Sequence, residues 1–182
     1  MMLRALPALV CLLGLTLEGC GAALSAIPFR GAPAVSFAAS AAGVLTALSG
    51  LPACDRAAQG WDVTARLARI EGGPVSQGYM SGDWNYFYVA SGQARDMLRV
   101  ERSDRSVRWT VLRREQGLDP LGTPPLLDSD RAVAVAARKG MPTDRLERLI
   151  LDQDNPPRRM VWTFESKAGR YRVDARTGQF LP

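Results

Sequence analysis

Residues 84–91, WNYFYVAS, and residues 161–166, VWTFES, decide the fold. Both segments are rich in aromatic and branched side chains and carry a tryptophan near the start, which predicts β-strands. Three further pairs of segments echo one another in the same order: DRA at 55–57 and 130–132, RLARI at 66–70 and RLERL at 145–149, and RVE at 99–101 and RVD at 172–174. Four echoes at nearly one spacing predict a duplicated unit.

Local patterns around the echoes predict the fold class. Met97–Arg102 and Ser106–Leu112 alternate apolar and polar residues about a short polar turn, which predicts a hairpin. Residues 61–70 fit helical spacing and strand spacing equally well, so that segment stays open between the two. We expect an α+β protein of two helix-plus-antiparallel-sheet repeats, and whether their sheets are continuous stays open.

The first 19 residues predict an exported protein. Arg4 precedes an uncharged run over residues 5–17 that is too short to span a bilayer. Leu17-Glu18-Gly19-Cys20 resembles the cleavage box of bacterial lipoproteins, which implies a lipid on Cys20 and a place in the cell envelope. Glu18 departs from that box, and ordinary signal cleavage at residues 21–23 is the alternative.

Composition divides the remaining chain. Residues 20–51 are rich in Ala, Ser and Gly, which is typical of a tether. Within them, residues 34–51 are uncharged over about a membrane-spanning length, so a transmembrane helix and a short packing helix are both open. We place the first unit at 52–115, a Pro- and Gly-rich linker at 116–127 and the second unit at 128–182.

The second unit carries the clearest local signals. Asp128, Ser129 and Asp130 have short oxygen-bearing side chains that can cap a helix running to about Lys139, and Gly140 and Pro142 would end that helix. Residues 159–166 and 170–174 are predicted strands. A turn at Arg176-Thr177-Gly178 then returns the chain along the sheet.

The last twelve residues, YRVDARTGQFLP, contain a motif that is similar to that of a known family. With the preceding alanine-rich helix and tryptophan strand they resemble a PepSY domain, through Tyr171, Val173, Asp174, Ala175, Thr177, Gly178 and Phe180. The first unit matches only through the echo, because Glu101-Arg102-Ser103-Asp104 stands where the signature should be. A tandem of such units is similar in architecture to β-lactamase inhibitor proteins, and the resemblance implies restraint of a peptidase.

The residue content argues against most catalytic machinery. The chain has no histidine, and no nucleophile motif is present, so we expect a non-enzymatic protein without cofactor or metal. Asp152 and Asp154 are interpreted as part of a solvated turn. Asp174 is expected to organise the Thr-Gly turn. Cys54 has no partner once Cys11 and Cys20 are assigned to the N-terminal segment, so a buried apolar role is expected.

Strand parity predicts the functional face. If Trp84, Tyr86, Trp162 and Phe164 face the helices, the alternate side chains face away. These predicted partner-binding residues are Asn85, Phe87, Arg99, Glu101, Thr163 and Arg172. The alternative is an ordinary solvated face on which the tether or residues 72–83 cover Phe87.

We expect this face to bind a protein or peptide of the cell envelope, with a lipid anchor in the membrane and no nucleic acid as partner. Two other functions stay open. An enzyme that acts through carboxylates on a polysaccharide or anionic substrate would need two acids in one cleft with raised pKa values. Nucleic-acid or anionic-lipid binding would need a continuous basic patch, which a net charge of +5 permits.

Overall fold

The structure is a computed structural model, and it describes residues 35–36, 46–73, 75–76, 83–103, 106–122, 127–154 and 158–182. The predicted signal segment 1–19, Cys20 and most of the tether at 20–51 lie outside these residues. The transmembrane alternative for residues 34–51 also falls largely outside them. Within the described part of the chain, neither helix combines the length and the apolar character that a bilayer crossing requires.

The described residues form an α+β fold, as predicted. Two helices, α1 (Leu51–Trp61) and α2 (Ser129–Ala137), accompany one antiparallel sheet. Its strands are β1 (Val35–Ser36), β2 (Arg66–Gly72), β3 (Val75–Ser76), β4 (Trp84–Val89), β5 (Asp96–Arg102), β6 (Ser106–Arg113), β7 (Arg145–Asp154), β8 (Arg159–Ser166), β9 (Gly169–Asp174) and β10 (Phe180–Leu181). The spatial order is β1-β6-β5-β4-β2-β7-β8-β9-β10, and β3 also pairs with β7.

The pairing of β2 with β7 makes the sheet continuous across the chain. The paired residues are Ile70 with Leu151, Glu71 with Ile150, and Gly72 with Leu149. This pairing, which we call the seam, joins the helix-and-meander formed by residues 51–113 to the one formed by residues 129–181. The question of continuity that the sequence left open is therefore settled in favour of one sheet.

Residues 61–70, which fit helical and strand spacing equally well, change from helix to strand just after Trp61. Helix α1 ends there, and β2 begins at Arg66. Between them Asp62 accepts hydrogen bonds from the backbone N–H and the hydroxyl of Thr64, at 2.8 and 2.7 Å. This local turn is a hydrogen-bonding alternative to continued helix, so the apolar residues that follow are free to pair in the sheet.

Helix α2 begins where the sequence predicts. Asp128 is its N-cap and accepts a hydrogen bond from the backbone N–H of Ser129 at 2.6 Å. The same carboxylate accepts from the Thr46 hydroxyl at 2.6 Å and from the backbone N–H of Leu48 at 3.0 Å. The predicted cap is confirmed, and it also ties the chain that precedes α1 to the second half of the sheet.

Both helices pack on one face of the sheet, and the aromatic side chains predicted to face them are buried there. Trp84, Tyr86, Tyr88, Trp162 and Phe164 are at most 1% exposed. The other predicted inward residues, Leu98, Val100 and Val173, are fully buried, whereas Tyr171 is half-buried. The strand parity is therefore confirmed in both halves.

Aromatic packing holds the helix-facing side of the seam together. A Cβ atom on Gly72 would lie 2.8 Å from Cζ3 of Trp84, so only glycine allows the indole to lie this close to the strand. Trp84 then contacts Trp162 edge to face, with 6.5 Å between the ring centroids. The two tryptophans belong to β4 and β8, which flank the seam on either side.

Asp174 organises the turn after β9, as predicted. Its Oδ1 accepts the backbone N–H groups of Arg176 and Thr177, each at 2.8 Å, and Gly178 has a φ of +70°. Burial acts to raise the pKa of Asp174, but these hydrogen bonds outweigh it and the pKa lies below the ordinary value.

The echoed segments lie at equivalent places in the sheet. The two DRA segments lie in α1 and α2, and RLARI and RLERL begin the two seam strands. The tryptophan segments form β4 and β8, the next strands outward, and RVE and RVD lie in β5 and β9 beyond them. Each echoed strand segment therefore lies the same number of strands from the seam as its counterpart in the other half.

We expect the seam to dominate stability. Leu149→Ala removes a fully buried side chain beside Gly72, so the free energy of unfolding should fall by about 2–5 kcal/mol. Val63→Ala is the control, because Val63 is 81% exposed and its truncation should change the value by about 0.5 kcal/mol or less. Urea unfolding followed by tryptophan fluorescence measures both. Equal midpoints for the two variants would contradict the seam's importance.

Candidate functional site

The sheet face that points away from α1 and α2 carries a row of polar side chains across the seam. Strand register aligns seven residues from β6 to β9 in this row: Arg108, Glu101, Asn85, Glu71, Ile150, Thr163 and Arg172. We call this side of the sheet the open face and these seven residues the polar row. Four of the six predicted partner-binding residues, Asn85, Glu101, Thr163 and Arg172, are brought together in it.

Phe87 faces this side as parity predicts, but its predicted exposure is wrong. The side chain is only 7% exposed and packs with Val89, Met97 and Leu118 in a second hydrophobic cluster. The cover comes from residues 114–122, which include the end of the first unit and the start of the segment assigned as linker at 116–127. Several apolar side chains on one sheet face favour such a cover, because burial removes them from water.

Two hydrogen bonds position the covering segment. Nη2 of Arg114 donates to the carbonyl of Leu118 at 2.8 Å, and the backbone N–H of Leu121 donates to the carbonyl of Leu67 at 2.7 Å. The chain therefore leaves β6, folds over the open face and reaches β2. The open face is closed at Phe87 and uncovered along the polar row.

Arg99 lies opposite Phe87 on β5 and forms an ion pair with Glu101 at 2.6 Å. Both side chains are about half-exposed, as a partner-binding role requires. Thr163 is 9% exposed and lies between Ile150 and Arg172 in the polar row. The six predicted residues thus share one face and two adjacent rows, and two of them, Phe87 and Thr163, are buried where exposure was predicted.

A groove occupies the second half of the open face. Its volume is about 460 Å³, and it is lined by Ile150, Asp152, Asp154, Thr163, Glu165, Arg170 and Arg172. Asp152 and Asp154 were interpreted as a solvated turn, which is wrong, because β7 extends to Asp154 and pairs it with Arg159 on β8. Residues 149–154, LILDQD, do not alternate apolar and polar side chains, so no local sequence signal marks this groove.

Ion pairs neutralise most charges of the open face. Glu71, with its side chain 16% exposed, accepts from Arg69 at 3.5 Å and from Arg148 at 2.7 Å. The other pairs are Arg69 with Glu115, Arg170 with Glu165, Arg172 with Asp154, and Arg159 with Asp174. The hydrogen bond with Glu71 raises the pKa of Arg148. Among the described residues of the open face, positive and negative side chains are therefore interleaved. They do not form the continuous basic patch that nucleic-acid binding requires.

The pKa of Asp152, which lines the groove, is raised above its ordinary value. Burial is the main cause, the charge of Asp154 adds to it, and Arg69 and Arg172 oppose it. Asp154 and Glu165 lie in the same groove, each paired with an arginine. Three acids thus converge in one cleft, which is the arrangement that a carboxylate enzyme requires.

Metal and thiol chemistry find little support in the described residues. They contain no group of three or more acidic, cysteine or histidine side chains that could hold a metal ion. Cys54 is fully buried and unbonded, and burial raises the pKa of its thiol to about 12. The predicted apolar role of Cys54 is confirmed, because such a thiol stays protonated and unreactive near neutral pH.

Comparison with known proteins finds a similarity of fold. No protein-family model matches the sequence, and no curated protein matches it. The fold is similar to the crystal structure of a candidate lipoprotein from Clostridium difficile 630, with a TM-score of 0.55 and 9% sequence identity. The likeness covers 78% of this chain and 94% of the other. Identity this low shows a shared fold and leaves the PepSY resemblance unconfirmed.

Phe87→Ala should act on stability. Removing a buried ring from the second cluster should lower the free energy of unfolding by about 2–4 kcal/mol. Thr110→Ala, an exposed change on the same face, should cost about 1 kcal/mol or less. Chemical denaturation measures both values. Similar stabilities for the two variants would show that residues 114–122 do not bury Phe87.

Asp152→Asn should change how stability depends on pH. Because the folded pKa of Asp152 is raised, its ionisation favours the unfolded chain once the pH exceeds the unfolded pKa of about 3.9. The variant should therefore be more stable than the unmodified protein at pH 7, and the difference should vanish near pH 3. Thermal unfolding across this range measures it. An Asn variant that is less stable at pH 7 would show that the Asp152 charge stabilises the fold.

Proposed function

We propose that this protein is a non-enzymatic lipoprotein of the cell envelope that binds a protein or peptide through its open face. The polar row carries the proposal, because it crosses seven strands and the seam on one side of the sheet. Export and lipidation are supported by residues 1–20. The shared fold with a candidate lipoprotein of Clostridium difficile 630 is consistent with this assignment.

Duplication of a PepSY-like unit explains how the face arose. The echoed segments lie on equivalent elements, and their seam strands pair with each other. Such a tandem yields one long sheet whose two helices lie on the same side. The other side then carries no helix and is available except where residues 114–122 cover Phe87, and a helix-free face is the arrangement that the likeness to β-lactamase inhibitor proteins implies. Restraint of an envelope peptidase is the specific role that we infer from this resemblance.

The chemistry of the face suits a protein partner. Arginine is enriched at protein interfaces, and the open face presents Arg99, Arg108, Arg148 and Arg172 on four different strands. Ion pairs with Glu71, Glu101 and Asp154 hold three of these side chains before any partner arrives, which reduces the entropy lost on binding. Because positive and negative side chains are interleaved on the open face, it favours a partner with a complementary charge pattern and disfavours a polyanion.

The carboxylate enzyme is the second candidate, and the raised pKa of Asp152 in the groove favours it. This hypothesis requires turnover of an envelope polysaccharide or anionic substrate that Asp152→Asn abolishes. Binding without turnover, retained in Asp152→Asn, supports the non-enzymatic proposal.

Partner capture tests the binding proposal. We expect the purified protein to recover a defined partner from envelope extracts of its source organism. Arg99→Glu and Arg172→Glu should each weaken recovery about 10-fold or more, because each substitution breaks an ion pair and inverts a charge on the open face. Lys139→Glu makes the same charge change at an exposed position after α2 and should leave recovery unchanged.

The open face is ruled out as the binding surface if all three variants recover the partner equally. It is also ruled out if recovery depends on Lys139. Circular dichroism of each variant separates loss of binding from loss of fold.

Lipid labelling tests the anchor. Cells that express the full chain should incorporate labelled palmitate into it, and Cys20→Ser should abolish the label and move the protein from the membrane pellet to the soluble fraction. Cys54→Ser should leave the labelling unchanged. Label that persists in Cys20→Ser would place the modification elsewhere.

A further inference from the structure

The groove in the second half of the open face contains two ion pairs and one unpaired carboxylate. Arg172 of β9 binds Asp154 of β7, so this pair crosses β8. Arg170 of β9 binds Glu165 of β8 at 2.8 Å. Asp152 lines the same groove, yet within the described residues its side chain forms neither an ion pair nor a hydrogen bond. Three carboxylates and two guanidinium groups thus leave the groove with one negative charge in excess.

The arginines closest in effect to Asp152 bind other acids. Arg69 forms ion pairs with Glu71 at 3.5 Å and with Glu115 at 2.8 Å, and Arg172 is held in its pair across β8. Burial raises the pKa of Asp152 although the charges of Arg69 and Arg172 oppose the rise. The cations already present therefore leave part of the cost of burying this charge uncompensated.

The floor of the groove is less polar than its walls. Ile150 is half-buried there, and Thr163 beside it on β8 is 9% exposed. Val161, which pairs with Asp152 in the strand register, is fully buried. Because Ile150 and Asp152 lie on the same side of β7, a long side chain can pack its methylene groups on Ile150 while its charged end reaches Asp152.

From this arrangement we infer that the groove receives one lysine or arginine side chain of the bound protein or peptide, an inference that rests on the proposed function of the open face. The cationic end of that side chain lies against Asp152, and its methylene groups pack on Ile150. The groove, at about 460 Å³, has room for the side chain and the backbone beside it. The two ion pairs fix the walls before binding, which reduces the entropy lost.

The charge balance of the groove selects its ligand. One cation provides a partner for the third acid, whereas an acidic side chain would add another unpaired negative charge. An uncharged side chain of the same length could pack on Ile150 but would leave Asp152 unpaired. The whole chain has a net charge of +5, so an excess of negative charge in this groove gives it a preference that the rest of the chain does not supply.

Titration of the full chain with short peptides, followed by NMR, tests this inference. The probes are acetyl-Ala-Ala-Lys-Ala-Ala-amide and the same peptide with arginine, norleucine or glutamate at its centre. We expect saturable binding of the lysine or arginine peptide, with shifts in the amide signals of residues 150–154 and 161–165. Norleucine keeps the stem without the charge, so its peptide should bind at least about 10-fold more weakly. The glutamate peptide should not bind.

Two variants assign the contact. Asp152→Asn removes the unpaired charge, so it should weaken binding of the basic peptide about 10-fold or more and bind the norleucine peptide with nearly the same affinity. Asp119→Asn is the matched control, because it makes the same chemical change at an exposed acid of the covering segment, outside the groove. It should leave the affinity unchanged. The dispersion of the NMR spectrum shows whether each variant is folded.

Three results would overturn the inference: no saturable binding of the lysine or arginine peptide, equal or tighter binding of the norleucine or glutamate peptide, or a folded Asp152→Asn protein with unchanged preference. None of them alters the capture result for Arg99→Glu, because Arg99 lies on β5, outside the groove. The intact partner also contacts the polar row, so its recovery should persist in Asp152→Asn. The two proposals can therefore fail separately.

Discussion

The antiparallel pairing of β2 with β7 is the interaction on which the rest of the structure depends. Backbone hydrogen bonds make the pairing, and side chains reinforce it on both faces. On the helix side, Gly72 lets the Trp84 indole approach the strand, and Trp84 reaches across to Trp162. On the open side, Glu71 binds Arg69 from its own strand and Arg148 from across the seam. A half-buried carboxylate with two arginines costs less to desolvate than a lone charge, so the seam tolerates an acid at its centre.

A continuous sheet gives the two faces different properties. Both helices lie on one side, so the aromatic residues of β4 and β8 form a single core there. The opposite side receives no helix among the described residues, and residues 114–122 cover part of it at Phe87. Cross-strand ion pairs stabilise the side-chain arrangement on this surface, because opposite charges on adjacent strands lie within reach of each other. The polar row follows from the seam, since without it the row would end at Glu71.

Local pattern predicts this fold better than it predicts its surface. Strand parity placed Trp84, Trp162 and Asn85 on their observed faces, and Asp128 was recognised as a cap, because both signals depend on residues close together in the chain. The burial of Phe87 depends on Leu118, thirty-one positions away, and no local pattern shows where a Pro- and Gly-rich segment will fold back. The groove was missed for a related reason. Asp152 and Asp154 precede a turn, and only their pairing with β8 shows that they still belong to a strand.

These differences move the candidate site from one half of the sheet to the other. Four of the six predicted partner-binding residues, Asn85, Phe87, Arg99 and Glu101, belong to the first half of the sheet. The structure uses Phe87 and its apolar neighbours to hold a covering segment, which stabilises the first half and removes part of its surface from contact. The second half carries the groove, whose lining comes from β7, β8 and β9. A partner that approaches the open face would therefore meet the better-preserved half first. The half with the recognisable signature then provides both scaffold and contact surface, and the divergent half serves mainly to extend and stabilise the sheet.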